Sequence, residues 1–570
     1  MDRHRSRLPV GVAFVTTLAL VAGACSPAAQ QSASPPGSTA ASATPAASTE
    51  PTPGGAPSGG GTLSIAVESD IKTLDPAIGY DTNALPAQRL IFESLVDYDD
   101  RTTLVPGLAE ALPTVSDDGL VYTFKLRPGI KFVKGDGTVL RDVAAKDVVA
   151  SLNRSLDPKL TPTPNPVANA FYSVIKGAPD VIAGTTKEAS GIKALDDLTV
   201  EITLDHASGS FLNVMAMTFA AVVPTELAGQ DTNAFSAAPV GTGPYILKEV
   251  QKGTVFKYAK NPAYWDPSKQ LVDEIEYRVN VDANTQLQEV QTGNLDIMGN
   301  DINQGSWEAT SQDPTWQPQV NVTPLVETDF LWLNTAWTAS PTSKLAVREA
   351  IAHAVDRVNI QKISGDRYKA TSQIFPPVMP GYEPGLDLFP YDPDKAKQML
   401  ADAGYPDGFD TKLYTFEGDL PKAIVESLQQ DLAKIGIRAE LVIQPFDVLL
   451  ATAFKKDTAE MIYLGWFEDY PDPSDFIDPM FTCGTAIDGG SNAAFFCDKA
   501  LDAKGDAARG ERDTAKRVQM YSDLQREILK QVPAIPLNNE SKAILITPRT
   551  TPFAIHPVWL YDLKRYGLSS

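Results

Sequence analysis

The stretch TKLYTFEGDLPKAIVESLQQDLAKIGIRAELVI, residues 411–443, decides the fold class. Its beginning, through Phe416, predicts a strand, and from Pro421 onward apolar residues recur at helical spacing until Gly436 stops the helix. Residues 437–443 then alternate between apolar and polar as a second strand. A strand, a helix and a strand in this order predict a βαβ unit with parallel strands and a right-handed crossover.

Strands and helices are mixed throughout the rest of the chain. Period-two alternation predicts strands at residues 62–67 and 121–127. Apolar stripes at helical spacing predict helices at residues 147–154, 347–355 and 396–403. The body is therefore predicted to be an α/β protein, and no internal repeat indicates a solenoid.

The first 25 residues are typical of an export signal with a lipidation site. Three arginines precede the apolar run of residues 10–21, and small residues lead into Cys25. The run is too short to span a bilayer as a mature helix. The junction resembles a bacterial lipobox, although Ala22 stands where leucine is usual. We therefore predict a signal peptide of residues 1–24 and a lipid on Cys25, with ordinary secretory cleavage near Ala24 as the alternative.

Residues 25–61 are predicted to form a disordered tether. Beyond Cys25 they contain no aromatic residue, no Leu, Ile or Val, and Glu50 as their one charge. Such a segment buries too little apolar surface to offset the entropy of ordering it. No further apolar run of spanning length follows in residues 62–570. We expect an extracytoplasmic body that the lipid anchor alone attaches to the cell membrane.

The charge of the chain excludes some partners. The net charge is −22, and removal of residues 1–24, which hold three arginines and Asp2, changes it to −24. This acidic excess argues against nucleic acid and anionic lipid as main partners. It does not restrict a small ligand in a pocket.

Signatures of catalysis and of metal binding are mostly absent. Residues 25–570 retain the three histidines His206, His353 and His556, and they contain no HExxH, GxSxG, P-loop or CxxC motif. We predict no enzyme, no resident metal and no other cofactor. An oxidising compartment favours a disulfide between Cys483 and Cys497 over two free thiols, and its short loop corresponds to about 3 kcal/mol of stabilisation.

One stretch has the composition of a binding site. Residues 465–476, GWFEDYPDPSDF, hold four aromatic and four acidic residues, a mixture suited to a cationic or amphipathic ligand. Asp472 and Asp475 are interpreted as turn residues that accept backbone N–H groups beside the prolines. The spacing of the carboxylates does not match a calcium loop.

Several segments follow one known family in order along the body. They are LDPAIGYDTNA from Leu74, IFESLVDYD from Ile91, LVPGLAEALPTVSDDGLVYTFKLRPGIKF from Leu104, AKDVVASLNR from Ala145, PVGTGPYIL from Pro239, NPAYW from Asn261, VREAIAHAVDR from Val347, PPVMPGYEP from Pro376, YDPDKAKQMLADAGYPDGF from Tyr391 and DYPDPSDF from Asp469. Together they resemble the family 5 extracytoplasmic solute-binding proteins, the peptide, dipeptide and nickel group that serves bacterial ABC importers.

The resemblance implies a bilobal clamp of the type II periplasmic-binding-protein class. Its lobe I is expected to comprise residues 62–99, 225–322 and 534–570, with an inserted subdomain at 100–224, and its lobe II residues 323–533. The chain is expected to cross between the lobes near residues 322–330 and 532–537. Such crossings act as hinges, and closure of the lobes buries the ligand.

The resemblance also implies the ligand contacts. In peptide-binding members the aspartate of a WxxD segment pairs with the free α-amino group of the peptide, and the tryptophan lines a side-chain pocket. These positions are Asp469 and Trp466, and we add the neighbouring Tyr470 as a ligand-binding residue. No carboxylate-binding Arg or Lys is indicated by a motif.

The sequence therefore predicts a monomeric, membrane-tethered protein that binds a short peptide or another small molecule and delivers it to an ABC permease and ATPase complex. An oligosaccharide or a chelated metal on the same fold is the first alternative. A sensor or surface chaperone outside transport is the second. A secreted hydrolase is the third, and the missing catalytic motifs argue against it.

Overall fold

The computed structural model describes residues 60–79, 81–165 and 167–569. The predicted signal peptide, Cys25 and the predicted tether up to residue 59 lie outside the described residues. Within those residues, none of the helices combines the length and the apolar content needed to cross a membrane.

The strands of the described residues are β1 Thr62–Ala66, β2 Val96–Tyr98, β3 Leu104–Pro106, β4 Thr114–Val115, β5 Val121–Lys125, β6 Lys131–Val133, β7 Val139–Asp142, β8 Ile192–Ala194, β9 Thr199–Thr203, β10 Tyr245–Gln251, β11 Val255–Lys260, β12 Glu274–Arg278, β13 Ile297–Met298, β14 Val320–Pro324, β15 Glu327–Leu333, β16 Lys369–Ala370, β17 Phe409–Phe416, β18 Ile437–Gln444, β19 Met461–Phe467, β20 Ala534–Asn539 and β21 Ser541–Leu545.

The α-helices of the same residues are α1 Ala84–Ile91, α2 Ala145–Leu156, α3 Ala168–Tyr172, α4 Ala178–Ile182, α5 Phe211–Ala216, α6 Thr232–Ala237, α7 Ala283–Gln291, α8 Gln304–Gln312, α9 Leu345–Ala354, α10 Arg357–Ile363, α11 Pro393–Asp402, α12 Asp419–Lys434, α13 Phe446–Ala453, α14 Ser474–Phe481, α15 Lys499–Gly510 and α16 Thr514–Gln531. Short 3₁₀ turns lie at Thr218–Ala220, Pro267–Lys269, Gln317–Gln319, Pro341–Ser343 and Leu563–Arg565.

Two large sheets organise these elements. The five-stranded sheet has the order β10-β11-β12-β1-β13, and the six-stranded sheet has the order β16-β20-β15-β19-β17-β18. A smaller four-stranded sheet, β4-β5-β9-β8, lies within the segment predicted as an inserted subdomain. The molecule is thus an α/β protein with the bilobal, type II architecture that the sequence predicts.

The six-stranded sheet is covered on both faces. Along β15, Phe330 and Trp332 belong to one hydrophobic core, whereas Leu331 and Leu333 belong to another. Successive side chains of a strand point to opposite faces, so the consecutive apolar residues 330–333 of β15 need a core on each side. This explains why the lobe packs helices against both faces of the sheet.

The predicted βαβ unit is confirmed. β17 and β18 pair in parallel from Phe409 opposite Ile437 to Phe416 opposite Gln444. The connecting helix α12 buries Ile424, Leu428 and Leu432 against the core. It ends before Gly436, whose φ of 92° is a left-handed conformation that glycine adopts without steric cost.

The chain passes between the two large sheets along two adjacent routes. β14 leads into β15 and β20 leads into β21; β14 pairs with β21, and β15 pairs with β20, both antiparallel. At the crossing itself, the backbone N–H of Leu325 donates to the carbonyl of Glu540 at 2.9 Å. The strand Ala534–Asn539, which the predicted boundary assigns to lobe I, lies in the six-stranded sheet.

Candidate ligand-binding site

The site-like stretch of the sequence begins at the end of β19. This strand pairs antiparallel with β15, from Glu327 opposite Phe467 to Leu333 opposite Met461. It ends at Phe467, and α14 begins at Ser474. We call the connecting residues 468–473 the acidic loop, and the central strands of the six-stranded sheet fix its starting point.

Two carboxylates hold the acidic loop in place. Asp472 pairs with the guanidinium of Arg517, with Nη2 at 2.6 Å from Oδ1, and both side chains are buried. Its Oδ1 also accepts the backbone N–H of Ser474 at 2.9 Å. Asp475 accepts the backbone N–H of Asp469 at 2.9 Å. Both aspartates therefore bind backbone N–H groups, as their interpretation as turn residues expects.

The three predicted ligand-binding residues lie in different surroundings. The indole Nε1 of Trp466 lies 3.3 Å from Asp475 Oδ2, which also accepts the N–H of Asp469, so one carboxylate orients both residues. Tyr470 is only 6% exposed, and its ring meets Phe171 edge-on with centroids 5.8 Å apart. Tyr470 therefore packs in the hydrophobic core that includes the four-stranded sheet.

A cavity of about 330 Å³ lies beside the acidic loop, within the size range of small-ligand pockets. Phe467 at the end of β19 lines it, together with Glu468 and Asp469 of the acidic loop. The other lining residues lie outside residues 323–533 and are Gly79, Asp81, Thr82, Leu85, Met217, Thr218, Phe219, Val558 and Leu560. Of the three predicted residues, Asp469 is the one that lines this cavity.

Glu468 is the unexpected residue of the cavity wall. It is only 2% exposed, and neither carboxylate oxygen has a hydrogen-bond partner among the described residues. Burial raises the pKa of Glu468 well above its usual value, and the nearby Asp475, Asp469 and Asp472 raise it further. These surroundings therefore favour the neutral form of the carboxyl group over the ionised form.

The family model for bacterial extracellular solute-binding proteins, family 5 Middle, matches residues 103–488. The chain belongs to this family. The family resemblance of the sequence motifs is therefore confirmed. The family consists of extracellular solute-binding proteins of bacteria.

Three known proteins show how far the similarity extends. The probable di/tripeptide-binding protein 5 of Pseudomonas aeruginosa (strain UCBPP-PA14) is 30% identical to this solute-binding protein over 90% of this chain and 96% of its own. Heme-binding protein A of Haemophilus influenzae is 30% identical over 84% of this chain and 86% of its own. The solved structure of the ABC transporter-associated periplasmic binding protein DppA from Helicobacter pylori, in complex with the peptide STSA, is similar with a TM-score of 0.75 and 26% identity, over 90% of this chain and 99% of that chain.

A larger cavity of about 410 Å³ in this solute-binding protein has different walls. None of its described lining residues lies between residues 323 and 533, so the acidic loop and the six-stranded sheet's helices do not contribute to it. Its charged groups largely pair with one another: Arg89 lies 3.0 Å from Asp97, and Lys564 lies 2.8 Å from the same carboxylate. These paired charges indicate a structural network.

A carboxylate cluster lies where the solute-binding protein crosses between its sheets. Oxygens of Glu327, Asp329 and Glu540 lie within 4.8 Å of one another. Asp329 Oδ2 accepts hydrogen bonds from Tyr463 and Asn538, each at 2.7 Å. Burial, followed by the charges of Asp329 and Asp301, raises the pKa of Glu327 to about 8. The raised pKa of Glu327 and the hydrogen bonds to Asp329 thus reduce the repulsion between the negative charges of these carboxyl groups. Carboxylate oxygens are also of the type that divalent cations bind.

The structure also pairs the two cysteines of the body. The sulfur atoms of Cys483 and Cys497 are bonded to each other in the loop that follows α14. This disulfide closes the loop of residues 483–497, which follows the acidic loop and α14 along the chain.

Proposed function

We propose that this protein captures peptides between its two lobes and delivers them to an ABC permease and ATPase complex. The observation that carries the proposal is the cavity with walls from both sides of the crossing and with Asp469 in one wall. The names of two relatives support it, since one is a di/tripeptide-binding protein and the other was solved with the peptide STSA. Backbone hydrogen bonds to an extended peptide tolerate any sequence of side chains.

In this proposal Asp469 binds the free α-ammonium group of the peptide. An enclosed ammonium loses its water and needs a compensating anion. The Asp475 carboxylate holds the backbone of Asp469 and the ring of Trp466 together, which limits the rearrangement that binding requires. Trp466 then lines a side-chain pocket, and Tyr470 supports the loop from the neighbouring core.

In this proposal the lobes are divided as the sequence resemblance implies, except that β20 joins lobe II, and the two crossings act as hinges. Lobe I then consists of residues 62–99 and 225–322 with the C-terminal segment, and 100–224 form the inserted subdomain. Lobe II is 323–533, and β20 extends its sheet. Closure about the crossings brings the acidic loop toward residues 217–219.

We further propose that the mature protein is a monomer that a lipid on Cys25 anchors to the cell membrane, outside the cytoplasm. The supporting observation is the order of charged, apolar and small residues before Cys25. Mass spectrometry of protein from the membrane fraction tests the anchor, because an N-terminus without an acyl chain contradicts it.

The test of the binding proposal is a thermal-shift screen with dipeptides, tripeptides, longer peptides, oligosaccharides and haem. A ligand present at 100 times its Kd stabilises the native state by about 2.7 kcal/mol. The relative named heme-binding protein A favours including a non-peptide solute as the second candidate. If such solutes raise the melting temperature and peptides of every length do not, the peptide proposal is wrong.

The role of Asp469 is tested by calorimetry on Asp469→Asn with a free and an N-acetylated peptide. Loss of one partner of a buried charge pair costs about 2–5 kcal/mol, so we expect a roughly 30-fold to several-thousand-fold loss of affinity. The two changes together are expected to be far less than additive. Asp447→Asn, on an exposed part of α13, is the matched control. Full additivity would show that Asp469 does not contact the α-ammonium.

A further inference from the structure

The wall of the cavity holds two buried polar groups without partners. Both carboxylate oxygens of Glu468 are unpaired among the described residues, and so is the hydroxyl of Thr218, which is 5% exposed. The two residues come from distant segments of the chain, and both line the same cavity. Leaving a buried donor or acceptor unpaired costs about 1–3 kcal/mol, and more for a charged group.

The remainder of the acidic loop does not have this defect. Within it Asp472 is paired with Arg517, and just beyond it, in the first turn of α14, Asp475 accepts two hydrogen bonds. The unpaired state of Glu468 is therefore not a general property of the loop. A buried polar group without a partner requires an explanation. A ligand that supplies the partner explains both the unpaired state of Glu468 and its position in a cavity wall.

The charge of the lining indicates what kind of group the ligand supplies. Asp81, Glu468 and Asp469 contribute three carboxyl groups, and no Lys, Arg or His occurs among the described residues that line this cavity. An anionic group of a ligand would meet no positively charged side chain among these residues, whereas a cationic group would meet a carboxyl group. Burial raises the pKa of Glu468 and so favours its neutral form in the empty cavity, whereas a bound cation favours its ionised form.

We propose that Glu468 is a second cation-binding residue, and that the protein prefers peptides whose first residue carries a basic side chain. This rests on the proposed function, because Asp469 has to hold the α-ammonium of the same peptide. The side-chain ammonium or guanidinium then meets Glu468, one position earlier in the chain, and the Thr218 hydroxyl accepts a hydrogen bond from it. On binding, the carboxyl proton of Glu468 passes to the buffer, and the carboxylate that remains pairs with the ligand cation.

The test compares two tripeptides that differ in one charge, Lys-Ala-Ala and norleucine-Ala-Ala, by calorimetry at pH 7. Each titration is run in two buffers of different ionisation enthalpy, which yields the number of protons released. We expect the lysine peptide to bind roughly 30-fold tighter or better, the range typical of a buried charge pair. It should release about one proton more than the norleucine peptide, as linkage requires for a group that ionises on binding.

Two variants separate the role of Glu468 from a general effect of charge. Glu468→Gln should bind both tripeptides equally and release no extra proton, whereas Glu440→Gln on the exposed side of β18 should behave as the wild type. If wild-type protein binds both peptides with equal affinity and equal proton release, the inference is overturned and the proposed function stands. If it binds neither these nor any other peptide, the proposed function fails and the inference fails with it.

Discussion

Asp472 and Glu468 belong to the same acidic loop and are both buried, yet their surroundings differ completely. Asp472 meets Arg517 and the backbone of Ser474, whereas the carboxyl group of Glu468 meets no hydrogen-bonding group among the described residues. A buried carboxylate with a partner contributes to one defined structure. A buried carboxyl group without one reduces stability, and such local conflicts concentrate at functional sites. Whether the carboxyl group has a hydrogen-bond partner thus distinguishes the structural acid Asp472 from the proposed binding acid Glu468 more clearly than burial does.

The largest effect on stability is expected from Arg517→Met. This change leaves Asp472 buried and unpaired, and breaking a buried ion pair in this way costs about 3–5 kcal/mol. We expect chemical denaturation to show that loss in the free energy of unfolding. Peptide affinity should change far less at temperatures where the variant is folded.

The control for Arg517→Met is Arg526→Met on the same helix, α16. Arg526 pairs with Glu383, but its side chain is 45% exposed, so we expect a loss below about 1 kcal/mol. The second variant Arg517→Met with Asp472→Asn keeps the oxygen that caps Ser474 and removes the stranded charge. It should recover part of the stability, and an equal or larger loss would contradict the assignment of Asp472 as a paired structural acid.

A smaller effect of opposite sign is expected from Glu468→Leu. Replacing an unpaired buried carboxyl group by an apolar side chain removes a penalty of about 1–3 kcal/mol, so the protein without ligand should become more stable. The raised pKa means that the native state holds a proton which the unfolded chain loses above its ordinary pKa. Wild-type stability therefore falls as pH rises, and the advantage of the variant should grow with pH. If the variant is less stable than the wild type at every pH, the carboxyl group of Glu468 makes a stabilising interaction and this prediction is wrong.

The last prediction concerns the crossing and a pH slope rather than stability at one pH: Glu327→Gln should alter the pH dependence of stability. The pKa of Glu327 is raised to about 8, from about 4.5 in the unfolded chain. Its contribution is fully present below pH 4.5 and is lost as pH rises toward 8. Thermal melts from pH 4.5 to 8 should show a shallower decline in the variant. The exposed Glu440→Gln serves again as control. If the melting temperatures of the wild type and both variants decline with pH at the same slope, Glu327 does not cause this pH dependence.

The sequence predicted what local periodicity determines. The βαβ unit was predictable because α12 repeats apolar residues along one face and Gly436 stops it. The acidic loop was recognisable from composition, and Asp469 lines the cavity that closes beside it. Local pattern and tertiary structure agree at these positions.

The rest of the site depends on contacts between distant segments. The unpaired state of Glu468 and the position of Thr218 follow from which segments face each other, and no short motif encodes that. Tyr470 packs on Phe171 because the inserted segment places an aromatic ring there. Gly465 is a similar case, because a Cβ atom at this position would lie 2.3 Å from Asp329 Oδ1. In each case the signal lies in a partner far along the chain.

The two crossing routes lie side by side and share the hydrogen bond from Leu325 to Glu540. Sliding one strand along the other would break ladder hydrogen bonds, whereas bending the pair across its length preserves them. Of the motions of the two large sheets relative to each other, bending at this place therefore breaks the fewest of these ladder hydrogen bonds. The carboxyl cluster of Glu327, Asp329 and Glu540 lies at this same place, so the charge of the cluster is built into the segment that would bend.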